Sequence, residues 1–123
     1  MDNCDVGKTV LDFYKDLPFN YYGSIEEQVK SVIQQSPIEQ LCPPLKGLVT
    51  PSENLLEIGC GAGWATNSIA NYYKKKILGL DYNPRAIERA RSVGEKLGLP
   101  TEFLCQDLFV FSEEKRAKED CFD

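Results

Sequence analysis

Histidine is absent from this 123-residue chain, and tryptophan and methionine occur once each. The five cysteines (Cys4, Cys42, Cys60, Cys105 and Cys121) are scattered without Cys-x-x-Cys spacing. Without imidazole or paired thiols, a zinc site lacks its ordinary ligands. An odd set of isolated thiols fits small buried or reduced side chains in a cytoplasmic protein, rather than a disulfide framework. Basic excess is missing too. Fourteen Lys and Arg face nineteen Asp and Glu, for a net charge of -5. A nucleic-acid partner is therefore not expected, since gripping phosphates calls for a basic surface. No apolar run approaches the ~18 residues of a membrane span, and the first residues lack the basic-then-apolar layout of a signal peptide. The remaining composition, 42% hydrophobic and 27% charged, suits one soluble domain.

What the chain does contain is a glycine-rich stretch, Leu55-Leu56-Glu57-Ile58-Gly59-Cys60-Gly61-Ala62-Gly63-Trp64. Leu55, Leu56 and Ile58 read as a short buried parallel strand, and Ala62 to Tyr73 as the helix after it. Glycine serves in such a turn because the backbone bends sharply and lies close to a ligand that a Cβ would obstruct. The N–H groups opening the helix favour negative charge. A dinucleotide fingerprint counted from Gly59 needs a third glycine at position 64, where Trp64 stands; counted from Gly61, Thr66 fills the slot. The bulky Trp64 argues against a pyrophosphate. Glu57, an acid at the strand end, suits a ligand carrying an ammonium as well as a carboxylate. A nucleoside with an amino-acid tail fits the whole arrangement.

Downstream, Ile77-Leu78-Gly79-Leu80 reads as a second strand ending in Asp81. An acid about 20 residues past a glycine turn, at the next strand tip, matches the hydroxyl pair of a ribose, two acceptors against two donors. Asn83-Pro84 opens a helix and Gly98 closes it. Its buried stripe is Ile87, Ala90, Val93 or Gly94, and Leu97; Arg85, Glu88, Arg89, Arg91, Glu95 and Lys96 read as solvated. Thr101 to Cys105 reads as a third strand, with Asp107 just beyond it. Three acids thus fall at the C-terminal ends of successive parallel strands, the edge where open α/β sheets bind ligands.

Glu57-Ile58-Gly59-Cys60-Gly61-Ala62-Gly63 resembles motif I of the class I S-adenosylmethionine-dependent methyltransferases. Asp81 corresponds to motif II of that family and Asp107 to motif III. The resemblance implies a Rossmann-like, doubly wound parallel α/β sheet that binds S-adenosyl-L-methionine. In it Gly59, Gly61 and Gly63 approach the cofactor by backbone, and Glu57 lies near its amino-acid portion. Asp81 takes the ribose, Tyr82 lies against the adenine, Asp107 accepts from the adenine amino group, and the Leu108 N–H meets a ring nitrogen. The match covers residues 53 to 111 well and the N-terminal part loosely. No catalytic base is identifiable, and the methyl acceptor is not legible.

Residues 1 to 52 are expected to form an N-terminal helical cap on a partial cofactor-binding domain of residues 53 to 123. Val10, Leu11, Phe13 and Tyr14 sit on a short helix in this reading. Ser24 with Glu27 makes a capping box, and Ile25, Val29, Val32 and Ile33 share one helical face. Pro37 interrupts that helix and Pro43-Pro44 ends its second piece. Tyr21 and Tyr22 are expected to pack the cap onto the sheet. Ser112 to Asp120 reads as a short exposed helix, and Cys121-Phe122-Asp123 as the onset of a fourth strand. The resemblance then places the chain's end after the third strand of a longer fold, leaving Leu55 to Ile58 as an apolar edge open to self-association. A fragment is therefore expected, against a natural three-strand module stabilised by a partner or by self-pairing. Two further readings stay open: a cofactor-binding remnant without turnover, and a nicotinamide-dependent oxidoreductase, which shares the acid after the second strand.

Overall fold

The computed structural model describes residues 23–34, 43–117 and 122. Two helices, α1 (Ile25–Ile33) and α2 (Leu45–Val49), precede a β–α repeat. The repeat runs β1 (Leu55–Ile58), α3 (Trp64–Tyr73), β2 (Ile77–Asp81), α4 (Pro84–Leu97), β3 (Thr101–Cys105) and α5 (Leu108–Ala117). The three strands are parallel in the order β1-β2-β3, with Ile58 level with Leu80 and Leu80 level with Leu104. This is an open Rossmann-like α/β sheet. Among the described residues β1 is an edge strand, and Ile58 at its end is 57% exposed. Residues 1 to 22 and 35 to 42, including Tyr21, Tyr22 and Pro37, lie outside the described residues. Of the expected fourth strand only Phe122 is described, outside any strand, its ring 6.1 Å from that of Phe111.

Local chemistry accounts for the helix ends. Ser24 accepts from the Glu27 N–H at 3.1 Å while the Glu27 carboxylate accepts from the Ser24 N–H at 3.2 Å, a reciprocal cap on α1. We expect Ser24→Ala to cost about 1 kcal/mol, read from the shift in urea unfolding midpoint at unchanged slope. Asn83 Oδ1 accepts from the Arg85 and Ala86 N–H groups, with Pro84 in the first turn of α4. Gly98 ends α4 in the left-handed region. α3 starts at Trp64, two residues later than the sequence pattern suggests, because Gly63 sits at φ 81° and breaks the helical path. α5 begins at Leu108, earlier than expected, because Asp107 caps it.

Helices α1, α3 and α4 touch one another, and α3 and α4 both contact the sheet, so all three stand on one side of it. One core cluster joins Val49, Ile69, Ala70 and Ile77, with Trp64 and Leu55 packed on it. The other joins Cys60, Ile87, Ala90 and Phe103. Phe103 occupies room left by missing side chains. A Cβ on Gly79 would stand 2.7 Å from its ring, and one on Gly63 would stand 3.0 Å from it.

The face of α1 differs from the hydrophobic pattern. Val32 is buried as expected, but Ile33 is 51% exposed, and Gln28 is fully buried in its stead. Two arginines of α4 are not merely solvated. Arg89 donates to the Gly23 carbonyl and to Gln28 Oε1, and Arg91 donates to the Phe103 carbonyl at 2.8 Å. Hydrophobic spacing does not register such long-range polar ties.

Candidate functional site

The loop between β1 and α3 bends through three left-handed residues, Gly59 (φ 71°), Gly61 (φ 56°) and Gly63 (φ 81°). A residue with a Cβ is strained at each, so the spacing of glycines is a backbone requirement. Beyond that their surroundings differ. A Cβ on Gly59 would meet nothing within 4 Å, leaving open space beside the loop. A Cβ on Gly63 would stand 2.6 Å from Ala90 Cβ, so this glycine lets α4 and β3 close against the loop. The close-packing slot that the dinucleotide pattern assigns to position 64 is thus filled by Gly63, and Trp64 turns to the core.

Backbone N–H groups of the loop bond both to the backbone of β2 and to the Asp81 side chain at its end. Gly59 N–H and Cys60 N–H both donate to the Leu80 carbonyl, at 2.7 and 3.0 Å. Asp81 follows, its Oδ2 accepting from Gly61 N–H and its Oδ1 from Asn83 N–H, both at 2.9 Å. Each carboxylate oxygen is thereby aimed, and each retains acceptor capacity for a further donor. Tyr82, next along, is 48% exposed at the same strand end.

Glu57 sits deeper. It is level with Gly79 and, across β2, with Phe103, two residues below Asp81. Burial raises its carboxyl to about 7, and the Thr66 hydroxyl pulls it part of the way back. The Thr66–Glu57 approach falls short of hydrogen-bond geometry, and Thr66 Oγ1, fully buried, has no partner. Cys60 is buried, and burial and then the charges of Asp81 and Glu57 push its thiol far up, as suits an inert filler.

Asp107 stands past β3, and its Oδ1 accepts from the Phe109 and Val110 N–H groups at 2.8 and 3.3 Å. It therefore serves as the N-cap of α5. Leu108 beside it is 40% exposed. The structure thus puts Glu57, Asp81 and Asp107 towards the C-terminal ends of the three strands, with Asp81 bonded to the glycine loop and to Asn83 N–H and Asp107 to the first turn of α5. Among the described residues no group of three His, Cys, Asp or Glu is arranged to hold a metal ion. No helix among them is long and apolar enough to cross a membrane.

Sequence reasoning missed two polar residues that shape this region. Gln28 Nε2 donates to the Ala62 carbonyl at 2.7 Å. Asn67, fully buried on α3, donates to the Ala90 carbonyl and accepts from Thr101 Oγ1, tying α3, α4 and β3 together. A polar residue at an otherwise apolar helical position was the available signal.

The parallel sheet, its glycine loop and the acid at the tip of β2 belong to a recognisable class. A family model described as a methyltransferase domain matches residues 55–123, more than half of the chain, and the chain belongs to that family. A malonyl-(acyl-carrier protein) O-methyltransferase of Anoxybacillus flavithermus is 36% identical over 66 residues, covering 52% of this chain and 24% of the relative. A probable cobalt-precorrin-6B C(15)-methyltransferase (decarboxylating) of Methanobrevibacter smithii is 31% identical over 91 residues, covering 72% of this chain and 41% of the relative. The chain thus spans less than half the length of either. Among solved structures, an SAH-bound methyltransferase of Podospora anserina aligns at 17% identity and a TM-score of 0.44, covering 85% of this chain and 50% of the other.

Proposed function

We propose that the chain holds S-adenosylmethionine as the methyl donor of a class I methyltransferase. The observation that carries this reading is Asp81. Its two oxygens are oriented by Gly61 N–H and Asn83 N–H, 20 residues from the glycine loop and beside it. A ribose offers two hydroxyl donors at the spacing of one carboxylate, and the bond is charge-assisted.

The surrounding residues suit the rest of such a ligand. The open space at Gly59 admits a group against the backbone, as a ligand that approaches the loop requires. Glu57 beneath the loop supplies negative charge for an ammonium, and its unpaired neighbour Thr66 Oγ1 has a bond to give. Exposed Tyr82 and Leu108 offer apolar surface to an adenine, with Asp107 and the Leu108 N–H as its polar partners. When bound, the cofactor supplies an electrophilic methyl on a sulfonium. The protein's part is to hold that group in line with an acceptor atom.

Calorimetric titration with S-adenosylhomocysteine tests the reading, with NAD as the competing ligand. We expect the first to bind and the second not to, because the Glu57 carboxyl beneath the loop suits an ammonium and disfavours a pyrophosphate. Asp81→Ala should weaken S-adenosylhomocysteine by ~1.5–3 kcal/mol, the scale of charge-assisted hydrogen bonds. An unchanged affinity would remove Asp81 from the site.

A further inference from the structure

The peptide unit joining Ala62 to Gly63 is held at both of its polar atoms. Its N–H, on Gly63, donates to the Cys60 carbonyl at 3.0 Å. Its carbonyl, on Ala62, accepts from Gln28 Nε2 at 2.7 Å, across 34 residues of sequence. Ala62 and Gln28 are both fully buried, so no water is at hand to replace that bond. The Gln28 amide has one chemically consistent orientation. Its other end accepts from Arg89 Nη1, and only Oε1 can accept from a guanidinium. Arg89 is itself anchored on the Gly23 carbonyl, just ahead of the cap of α1.

The orientation of this peptide sets the left-handed turn at Gly63 and with it the direction in which α3 departs. We propose that Gln28 is a positioning residue. Placed on α1, outside the β–α repeat, it fixes the Ala62–Gly63 peptide and so keeps the glycine loop in the shape that receives the ligand. For the ligand's identity the inference rests on the proposed cofactor. The N-terminal helix is then part of the binding apparatus, although none of its side chains need touch the ligand. The apolar spacing of α1 conceals this, because the one polar residue on its buried side carries the contact.

Two readouts on the full chain test the proposal. Gln28→Glu replaces the donor facing Ala62 with an acceptor and keeps a partner for Arg89. Gln28→Leu removes both bonds. Val32→Ala, a cavity in the buried face of the same helix, serves as the reference for plain destabilisation. In the ligand-free chain, amide exchange at Gly63 and Asn67 should quicken in both Gln28 variants and not in Val32→Ala, at a temperature well below every melting point. At that temperature S-adenosylhomocysteine affinity, read from Trp64 fluorescence, should fall about tenfold in the Gln28 variants and hold in Val32→Ala, as expected when a buried carbonyl loses its partner. Unchanged exchange at Gly63 in Gln28→Glu, or affinities that merely track melting temperature across all three variants, would overturn the proposal. Quickened exchange with no binding by the unmodified chain would instead uphold the loop-fixing role and dismiss the cofactor reading.

Discussion

Gly63→Ala is expected to lose about 2–5 kcal/mol of stability, the sum of a left-handed backbone penalty and overpacking. Both contributions are present at this position. The residue sits at φ 81°, where a Cβ crowds the following carbonyl. The new methyl would also stand 2.6 Å from Ala90 Cβ and 3.0 Å from the Phe103 ring, closer than packed carbons approach. Neither neighbour moves freely, since Ala90 is on the buried face of α4 and Phe103 is level with Gly79 and Glu57 in the sheet. Gly59→Ala provides the comparison. It shares the left-handed backbone, but nothing lies within 4 Å, so only the backbone part, about 1–2 kcal/mol, applies. Urea unfolding of the two variants measures the difference. Equal losses would mean that the loop, α4 and β3 are not in the close contact described.

Glu57 makes the stability of the ligand-free chain depend on pH. Its carboxyl is raised to about 7 by burial, above the ordinary 4.5 it returns to on unfolding. Below about pH 4.5 it is protonated in both states and contributes nothing to the pH dependence. As pH rises towards 7 the unfolded chain ionises first, so stability falls; above 7 both states are ionised and the loss levels off. The full loss is on the order of 3 kcal/mol, at 1.36 kcal/mol per pKa unit. Glu57→Gln keeps the shape without the titration. It should match the unmodified chain near pH 4.5 and exceed it in stability by roughly that amount near pH 8. Parallel stability profiles for the two chains would show that Glu57 is not the group responsible. A ligand ammonium beside the carboxylate would draw the same proton off. S-adenosylhomocysteine should therefore bind more tightly as pH rises towards 7 and release a proton, seen by calorimetry in buffers of different ionisation enthalpy.

Much of the fold was legible in the order of residues, because its signals are local. The three strands, the Ser24–Glu27 box, the Asn83-Pro84 start of α4 and its Gly98 stop each depend on neighbours a few positions away. Asp81 at the tip of β2 was legible too, from its distance past the glycine loop. The roles inside the site were less so. Asp107 was read as a ligand contact, and the structure adds that it caps α5 through Oδ1. Arg89 and Arg91 read as solvated because charge on a helix usually is. Their tethers reach Gly23 and the Phe103 carbonyl, which the chain brings near only on folding.

The sequence alone therefore determined the parallel β–α repeat, the glycine loop and the acids set along one edge. Repeats of that kind follow from caps, turns and apolar runs, whose energetics are settled within a few residues. Tertiary structure decided that Gly63 and Gly79 make room for Phe103, why Gln28 displaces Ile33 from the buried face of α1, and how strongly Glu57 resists ionisation. Those outcomes depend on close packing and on the loss of water around particular atoms, and both arise only when segments distant along the chain meet.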